Sequence, residues 1–473
     1  MPRRRRECSV RSDTKLRYYR RATTLAVPRQ AAFDWHTYPG AFERLSPPWQ
    51  PARIESRTGK GLAPGATVTL RVKVGPFWLP WVAEHGEWDP GYMFSDHQVT
   101  GPFTRWEHRH SFAEATGDTV ELIDDVRYQL PLGYLGLLGG HYARTEINRL
   151  FLYRHRVTAR DTAWHAQYGS KQMNVAVTGS TGLVGSALLP FLESGGHTVV
   201  SLRRGTRPLS RPRDQPTWDP NASRLYGVSL DGVDAVVHLA GENIAAARWS
   251  DAQKARIRDS RVDGTRHLCE ALTQLEHPPK TLVVASAIGF YGDRGDERLT
   301  EKSEPGAGFL PEVCEAWEAA ADVARTAGIR VVHLRVGIVL TPAGGALKQM
   351  LLPFTMGVGG VIGSGRQFMS WVSLDDVLAS VLHVLATTSV EGPVNVVAPQ
   401  AVSNAEFTKT LGRVLRRPTI FPLPAFMARL VFGEMADGLL LSSTHVAPTR
   451  LEETGFTFGY PDLEGALRHV LGR

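Results

Sequence analysis

The run Val175-Ala-Val-Thr178-Gly179-Ser-Thr181-Gly182-Leu183-Val184-Gly185 constrains this chain more than any other segment. A continuous apolar stretch enters a turn with glycines at every third position, and an apolar helical pattern follows to Ser194. A short apolar run without alternation reads as a strand buried on both faces. Gly179 permits the tight turn, Gly182 lets a ligand approach the backbone, and Gly185 lets the helix start pack on the strand. The free N–H groups of such a helix start attract an anion, and the spacing suits the pyrophosphate of a dinucleotide. A second strand, Thr198 to Leu202, follows as the motif requires.

The same rhythm continues. Apolar runs at Ala235–Leu239, Thr281–Ala285 and Val331–Leu334 alternate with helical patterns, the longest from Ser250 to Leu275. The predicted fold class is therefore α/β, a doubly wound parallel sheet over 173–391, closed by a small helical domain over 392–473. Residues 16–165 read differently. Alternation in Thr67–Val74 and Thr119–Ile123, dense aromatics and a helix from Gly140 to about Tyr153 predict an antiparallel α+β domain. Residues 166–172 read as a linker.

A total charge of +7 invites a nucleic-acid reading, but its location excludes one. Residues 1–30 hold ten basic and two acidic side chains, a charge of +8, so residues 31–473 carry −1. The basicity belongs to an N-terminal arm (residues 1–15 at its core), read as a solvated tail. No run of 18 apolar residues occurs, so no membrane span is expected. Cys8, Cys269 and Cys314 stand far apart. That spacing excludes a disulfide scaffold and points to a reducing, cytoplasmic location.

The end of the second strand discriminates between cofactors. An acidic residue there bonds the ribose hydroxyls of NAD, whereas this chain has Arg203 and Arg204. Two forked guanidiniums suit a 2′-phosphate, so the expected cofactor is NADP, with NAD second.

The glycine loop, His238-Leu239-Ala240-Gly241-Glu-Asn-Ile244, Arg248-Trp249, Ser260-Arg261-Val-Asp-Gly264-Thr265, Ser286–Gly292, Trp317-Glu318, Leu334–Leu340 and Trp371–Asp376 together resemble the epimerase-like subgroup of the extended short-chain dehydrogenase/reductases. Gly455-Phe-Thr-Phe-Gly-Tyr-Pro461 resembles the small domain of unknown function that closes those proteins. The resemblance implies that Leu239, Ala240 and Gly241 lie along the adenosine, that Arg261 reaches the cofactor and that Val339 lines the nicotinamide side. It also implies a Ser or Thr followed by Tyr-x-x-x-Lys, in which the Tyr is the acid/base and the Lys lowers its pKa. Here the hydroxyl position falls on Ala287, and the helix reads Cys314-Glu-Ala-Trp-Glu318. The replacement candidates are Tyr291 and Ser286, then Cys314 and Glu318, which share a helix face at i and i+4.

Val99–Phe112 and Asp125–Gly133 resemble the helix-grip fold of START-like and polyketide cyclase-type (SRPBCC) domains. That resemblance implies a cavity for an apolar ligand, and the aromatic density fits either a cavity lining or an ordinary core. Trp106, His108 and His110 share one strand face. A His-x-His pair can hold a metal, but no further ligand is evident in the sequence, and no metal is expected. The leading expectation is an NADP(H)-dependent oxidoreductase or epimerase-like enzyme acting on a small, apolar carbonyl or hydroxyl compound. The alternatives are a non-catalytic NADP(H)-sensing or ligand-binding protein and a nucleotide-sugar epimerase. The partner is a small molecule in each case.

Overall fold

The computed structural model describes residues 16–50, 52–74, 77–131, 139–169, 171–205, 217–226 and 230–473. The basic arm, Cys8, Gly133 and Ser170 lie outside these residues. The chain forms two compact units, Met1–Thr37 with Gln50–Ala159, and Tyr38–Trp49 with Arg160–Arg473.

The first unit is a seven-stranded antiparallel sheet. Its strands are β1 (Arg17–Leu25), β2 (Ala52–Thr58), β3 (Thr67–Val74), β4 (Phe77–Asp89), β5 (Met93–Thr100), β6 (Arg105–Glu114) and β7 (Val120–Gln129), in the order β1-β7-β6-β5-β4-β3-β2. Helix α1 (Arg29–Thr37) precedes β2, and the Gly140–Ala159 part of helix α3 (Gly140–Tyr168) completes the unit. Alternation decides the faces: β6 buries Trp106, His108, His110 and Phe112 and exposes Arg105 and Arg109. Trp106 and Tyr128 pack with Ile147 and Phe151 of α3, one helical turn apart. Phe33 meets Phe112 edge-on at 5.5 Å, and Trp81 meets Trp106 at 5.4 Å. These aromatics fill a core. The sheet and helix are those of a START-like domain. Helix α3 runs on to Tyr168, past the expected end near Tyr153 and through the expected boundary at 165.

The second unit begins with helix α2 (Ala41–Arg44). Gly40 precedes it at φ 85°, and a Cβ there would lie 2.3 Å from the Pro190 carbonyl oxygen, so the close approach requires glycine. Arg44 is buried and donates to both oxygens of Asp161 (2.7 and 2.9 Å) and to Asp375 (2.8 Å). Asp375 in turn lies 2.8 Å from His469 Nε2.

Strands β8 (Asn174–Thr178), β9 (Thr198–Arg204), β10 (Thr217–Asp219), β11 (Arg224–Tyr226), β12 (Ala235–His238) and β13 (Thr281–Ala287), with Arg330–Val336 and Gly392–Val396, form an eight-stranded sheet. Its order is β11-β10-β9-β8-β12-β13, then the strands at 330 and 392, and every pairing except β10–β11 is parallel. Helices α4 (Gly185–Ser194), α5 (Asp251–Thr273) and α6 (Phe309–Ala319) are among its crossovers. Chain order reverses between β8 and β12, and that switch point is where open sheets of this kind bind ligands. The core matches the sequence reading: Val175, Ala176 and Val177 of β8 and Val236 and Val237 of β12 are fully buried.

Gly392–Val396 completes the sheet, so the expected boundary at 391 falls just before its eighth strand. A Gly-Pro start and the polar Asn395 disguise it. The segment beyond is joined to the sheet domain by Asp376, which accepts from Gly459 N (2.6 Å), Tyr460 N (3.1 Å) and Ser373 Oγ (2.7 Å).

Candidate cofactor and active site

The glycine loop leaves β8 as the sequence predicts. Gly179 has φ 67°, and a Cβ there would lie 2.7 Å from the Leu239 backbone. A Cβ on Gly185 would come within 2.3 Å of the Gly179 carbonyl oxygen. These two glycines are demanded by the chain itself. Gly182 is different: it is exposed, and a Cβ would meet only Gly179 O, at 3.1 Å. The space above Gly182 is open, as the approach of a phosphate requires.

Thr178 ties the neighbouring loop in place. Its Oγ1 accepts from Leu239 N (3.2 Å) and Ala240 N (3.3 Å) and lies 2.7 Å from His238 Nδ1. Burial pushes the His238 imidazole down to about 4, so it is neutral here. No side chain caps α4; Ser186 N donates to Gly182 O (2.9 Å), and Ala187 N and Leu188 N donate to Val184 O (3.1 and 2.8 Å). Open space, uncapped helix and glycine backbone together fit a dinucleotide pyrophosphate.

Arg203 and Arg204 end β9 and are both exposed, and the residues from 206 to 216 lie outside the described ones. Arg261 lies in an arginine-rich stretch of α5, yet it does not share the exposed face of Arg256 and Arg258. Its guanidinium stacks over Trp317 at 5.0 Å and would be 3.5 Å from a Cβ on Gly241. Leu183 packs by Gly344 and Gly345, and Val339 stands close by, its carbonyl 3.8 Å from a Cβ on Gly345. The predicted cofactor residues therefore collect at the C-terminal edge of the sheet.

The four catalytic candidates also come together. Register places Ser286 of β13 beside Arg335, and Arg335 beside Asn395. Ser286 Oγ donates to Glu318 Oε1 (2.7 Å), and Arg335 donates to both Glu318 oxygens (2.8 Å each). Tyr291 Oη accepts from Arg335 Nη1 (3.0 Å) and donates to Asn395 Oδ1 (2.7 Å). Tyr291 is fully buried, and burial raises its pKa. The hydroxyl proton points at the Asn395 amide oxygen, which is too weak a base to take it, so a group that accepts it must take the place of Asn395. Cys314 is buried beside the network, and burial, with the Glu318 charge next, pushes its thiol up to about 12. It is therefore a protonated thiol at neutral pH.

Glu318 thus stands where the resemblance would put a lysine, and its charge is matched by Arg335 instead. Arg335 and Asn395 belong to this hydrogen-bonded network and are not among the candidates named from the sequence. A signal existed: Arg335 is a charge inside the apolar run Val331-Val-His-Leu-Arg-Val336, and a buried parallel strand tolerates a charge only with a partner.

Epimerase family protein Mb2239 of Mycobacterium bovis is 42% identical to this chain over 299 residues, 63% of this chain and 98% of that protein. The chain belongs to the epimerase family. A match to the NAD dependent epimerase/dehydratase family covers residues 175–397. Residues 25–151 match the family described as polyketide cyclase / dehydrase and lipid transport, and residues 423–470 match a domain of unknown function (DUF1731). Epimerase family protein SDR39U1 of Homo sapiens is 36% identical over 302 residues, 63% of this chain and all of that protein. Its crystal structure with NADPH superposes with a TM-score of 0.57 over 63% of this chain and 99% of that one. A crystal structure of a nucleoside-diphosphate sugar epimerase from Corynebacterium glutamicum, 33% identical, has a TM-score of 0.77 over 96% of this chain and 90% of that chain. Membership accounts for the NAD(P)-type loop of the second unit. No helix among the described residues is long and apolar enough to cross a membrane.

Proposed function

We propose that the second unit binds NADP(H) and moves a hydride between the nicotinamide and the carbonyl or hydroxyl carbon of a small, apolar ligand. The observation that carries this reading is the open glycine cradle with Arg203 and Arg204 exposed at the end of β9. Forked guanidinium donors match the oxygens of a 2′-phosphate, and NADPH is the cofactor in the human relative's structure. In this reading Thr181, Gly182, Leu183 and Val184 hold the pyrophosphate. Leu239, Ala240 and Gly241 lie along the adenosine, Arg261 reaches toward the cofactor and Val339 borders the nicotinamide. The bound group supplies or accepts the hydride. An apolar ligand is supported by Phe421, Phe426 and Leu430 and by Leu352 and Met356, all exposed. The first unit, by its family, takes a small hydrophobic ligand of its own.

Tyr291 is the acid candidate of this site, with Ser286 and Glu318 on the same chain of hydrogen bonds. The test is consumption of NADPH by the purified chain against a panel of aldehydes and ketones. Tyr291→Phe is expected to lower kcat at least about 100-fold, the lower end of what a positioned general acid contributes, while leaving NADPH affinity unchanged. Unchanged kcat assigns the hydroxyl to holding Arg335 and Asn395.

A second reading is a protein that senses NADP(H) without turnover. The buried Cys314 and Glu318, the latter neutralised by Arg335, favour it, because these two occupy the places where the acid/base pair would stand. Tight NADPH binding with no turnover across the panel selects it. A nucleoside-diphosphate sugar is the substrate class named for the Corynebacterium glutamicum protein. For this chain it requires an acid/base pair other than Tyr-x-x-x-Lys.

A further inference from the structure

We propose that Asp96, His108 and His110 in the first unit form a binding site for a divalent transition metal such as zinc, with Asp124 as the carboxylate that orients both imidazoles. The site is independent of the dinucleotide loop. One donor atom from each of Asp96, His108 and His110 lies within 4.8 Å of the others. The sheet puts them there: Asp96 of β5 pairs in register with His108 of β6, and His110 lies two residues on, on the same face. Asp124 of β7 pairs in register with His110.

The arrangement is built rather than incidental. His108, His110 and Asp124 are at most 7% exposed. His108 presents Nδ1 to Asp96 at 3.2 Å and Nε2 to Asp124 at 3.4 Å, and His110 Nδ1 lies 2.7 Å from the same Asp124 oxygen. His155 of α3 holds the other Asp124 oxygen at 3.0 Å and is itself held by Thr23 Oγ1 at 2.8 Å. Metal-bound imidazoles usually give their second nitrogen to a carboxylate, which is the position Asp124 occupies against both rings.

His108 Nε2, His110 Nδ1 and Asp124 Oδ1 are buried, and despite their short separations none is aligned in a hydrogen bond. Asp124 Oδ1 is the group that both nitrogens face, at 3.4 and 2.7 Å, and a metal taken by His108 through Nδ1, beside Asp96, would leave Nε2 to that carboxylate. Ligands at about 2.0–2.2 Å from zinc stand roughly 3.3 Å apart in a tetrahedron. The Asp96–His108 pair already has that spacing, and His110 needs a side-chain adjustment. Two imidazoles and one carboxylate suit zinc, iron(II) or manganese(II) rather than calcium. Three protein ligands leave a position for water or for an oxygen of a small molecule.

The test uses the full chain, stripped with chelator and titrated with zinc by calorimetry and with cobalt(II) by visible absorption. One zinc per chain is expected, with a dissociation constant on the order of 1 µM or tighter, and cobalt is expected to develop ligand-field bands. His110→Ala and Asp96→Asn should each weaken zinc at least about tenfold, and Asp124→Asn by about 10–100-fold. Near-UV circular dichroism checks that each variant folds. The wild-type titration stands even if a variant does not fold. No binding at about 100 µM zinc overturns the proposal, and so does zinc uptake unchanged in His110→Ala.

Discussion

Gly182→Val is expected to abolish measurable NADPH binding, with a loss of at least about 100-fold, or roughly 3 kcal/mol. The reason is local. A Cβ at this position meets only the Gly179 carbonyl oxygen, at 3.1 Å, so the loop accommodates it by a small shift. The two further methyl groups then occupy the open space above the loop, where a pyrophosphate must lie. The variant therefore keeps its fold and loses its ligand. Gly185→Ala provides the contrast. Its Cβ would sit 2.3 Å from a backbone oxygen, so it damages the strand-to-helix turn itself. Calorimetric titration separates the two, with thermal unfolding as the check on stability. A Gly182→Val protein that binds NADPH as the wild type does removes the glycine loop from the cofactor site.

The second large effect is on stability. Arg335→Leu strands Glu318, whose side chain is 13% exposed, without its guanidinium partner. Removing one member of a buried ion pair costs about 3–5 kcal/mol, because the remaining charge is left uncompensated. Glu318→Leu leaves Arg335 in the same position and is expected to cost a similar amount. The Glu318→Leu/Arg335→Leu double variant should recover much of the loss, since two apolar side chains replace two desolvated charges. The readout is the midpoint of thermal unfolding, and the transition expected to rise with added NADPH reports the second unit. Losses below about 1 kcal/mol for both single variants would place the pair among solvent-screened ion pairs and contradict its buried role.

The glycine loop was legible because its physics is local: eleven consecutive residues, Val175–Gly185, contain the strand, the turn and the helix start. The continuous apolar runs of β8, β12 and β13 were legible for the same reason. What stayed hidden depends on residues far apart in the chain. Arg335 and Asn395 meet Tyr291 and Glu318 only because three parallel strands align them. The segment Tyr38–Trp49 joins the second unit through Arg44, whose partners are Asp161 and Asp375. Nothing in its local composition indicates this. The sequence pattern ends helix α3 early because Arg154, His155 and Arg156 interrupt its apolar spacing. His155 nevertheless faces inward, onto Asp124. The metal-type cluster followed the same course. His108 and His110 were visible as a pair, but Asp96 and Asp124 came from the neighbouring strands.

Around the catalytic candidates the structure adds neither a further phenol nor a lysine. Tyr291, Ser286 and Glu318 form one hydrogen-bonded chain through Arg335, and Cys314 sits against it as a buried thiol.

The most direct measurement is a titration of the purified chain with NADPH and with NADH, followed by nicotinamide fluorescence, beside the Arg203→Ala/Arg204→Ala double variant. NADPH is expected to bind at least about tenfold more tightly than NADH, about 1.4 kcal/mol. The double variant should lose that preference while keeping NADH affinity. Equal affinities in the wild type, or binding of neither nucleotide, would contradict the assignment of this unit as an NADP(H) site.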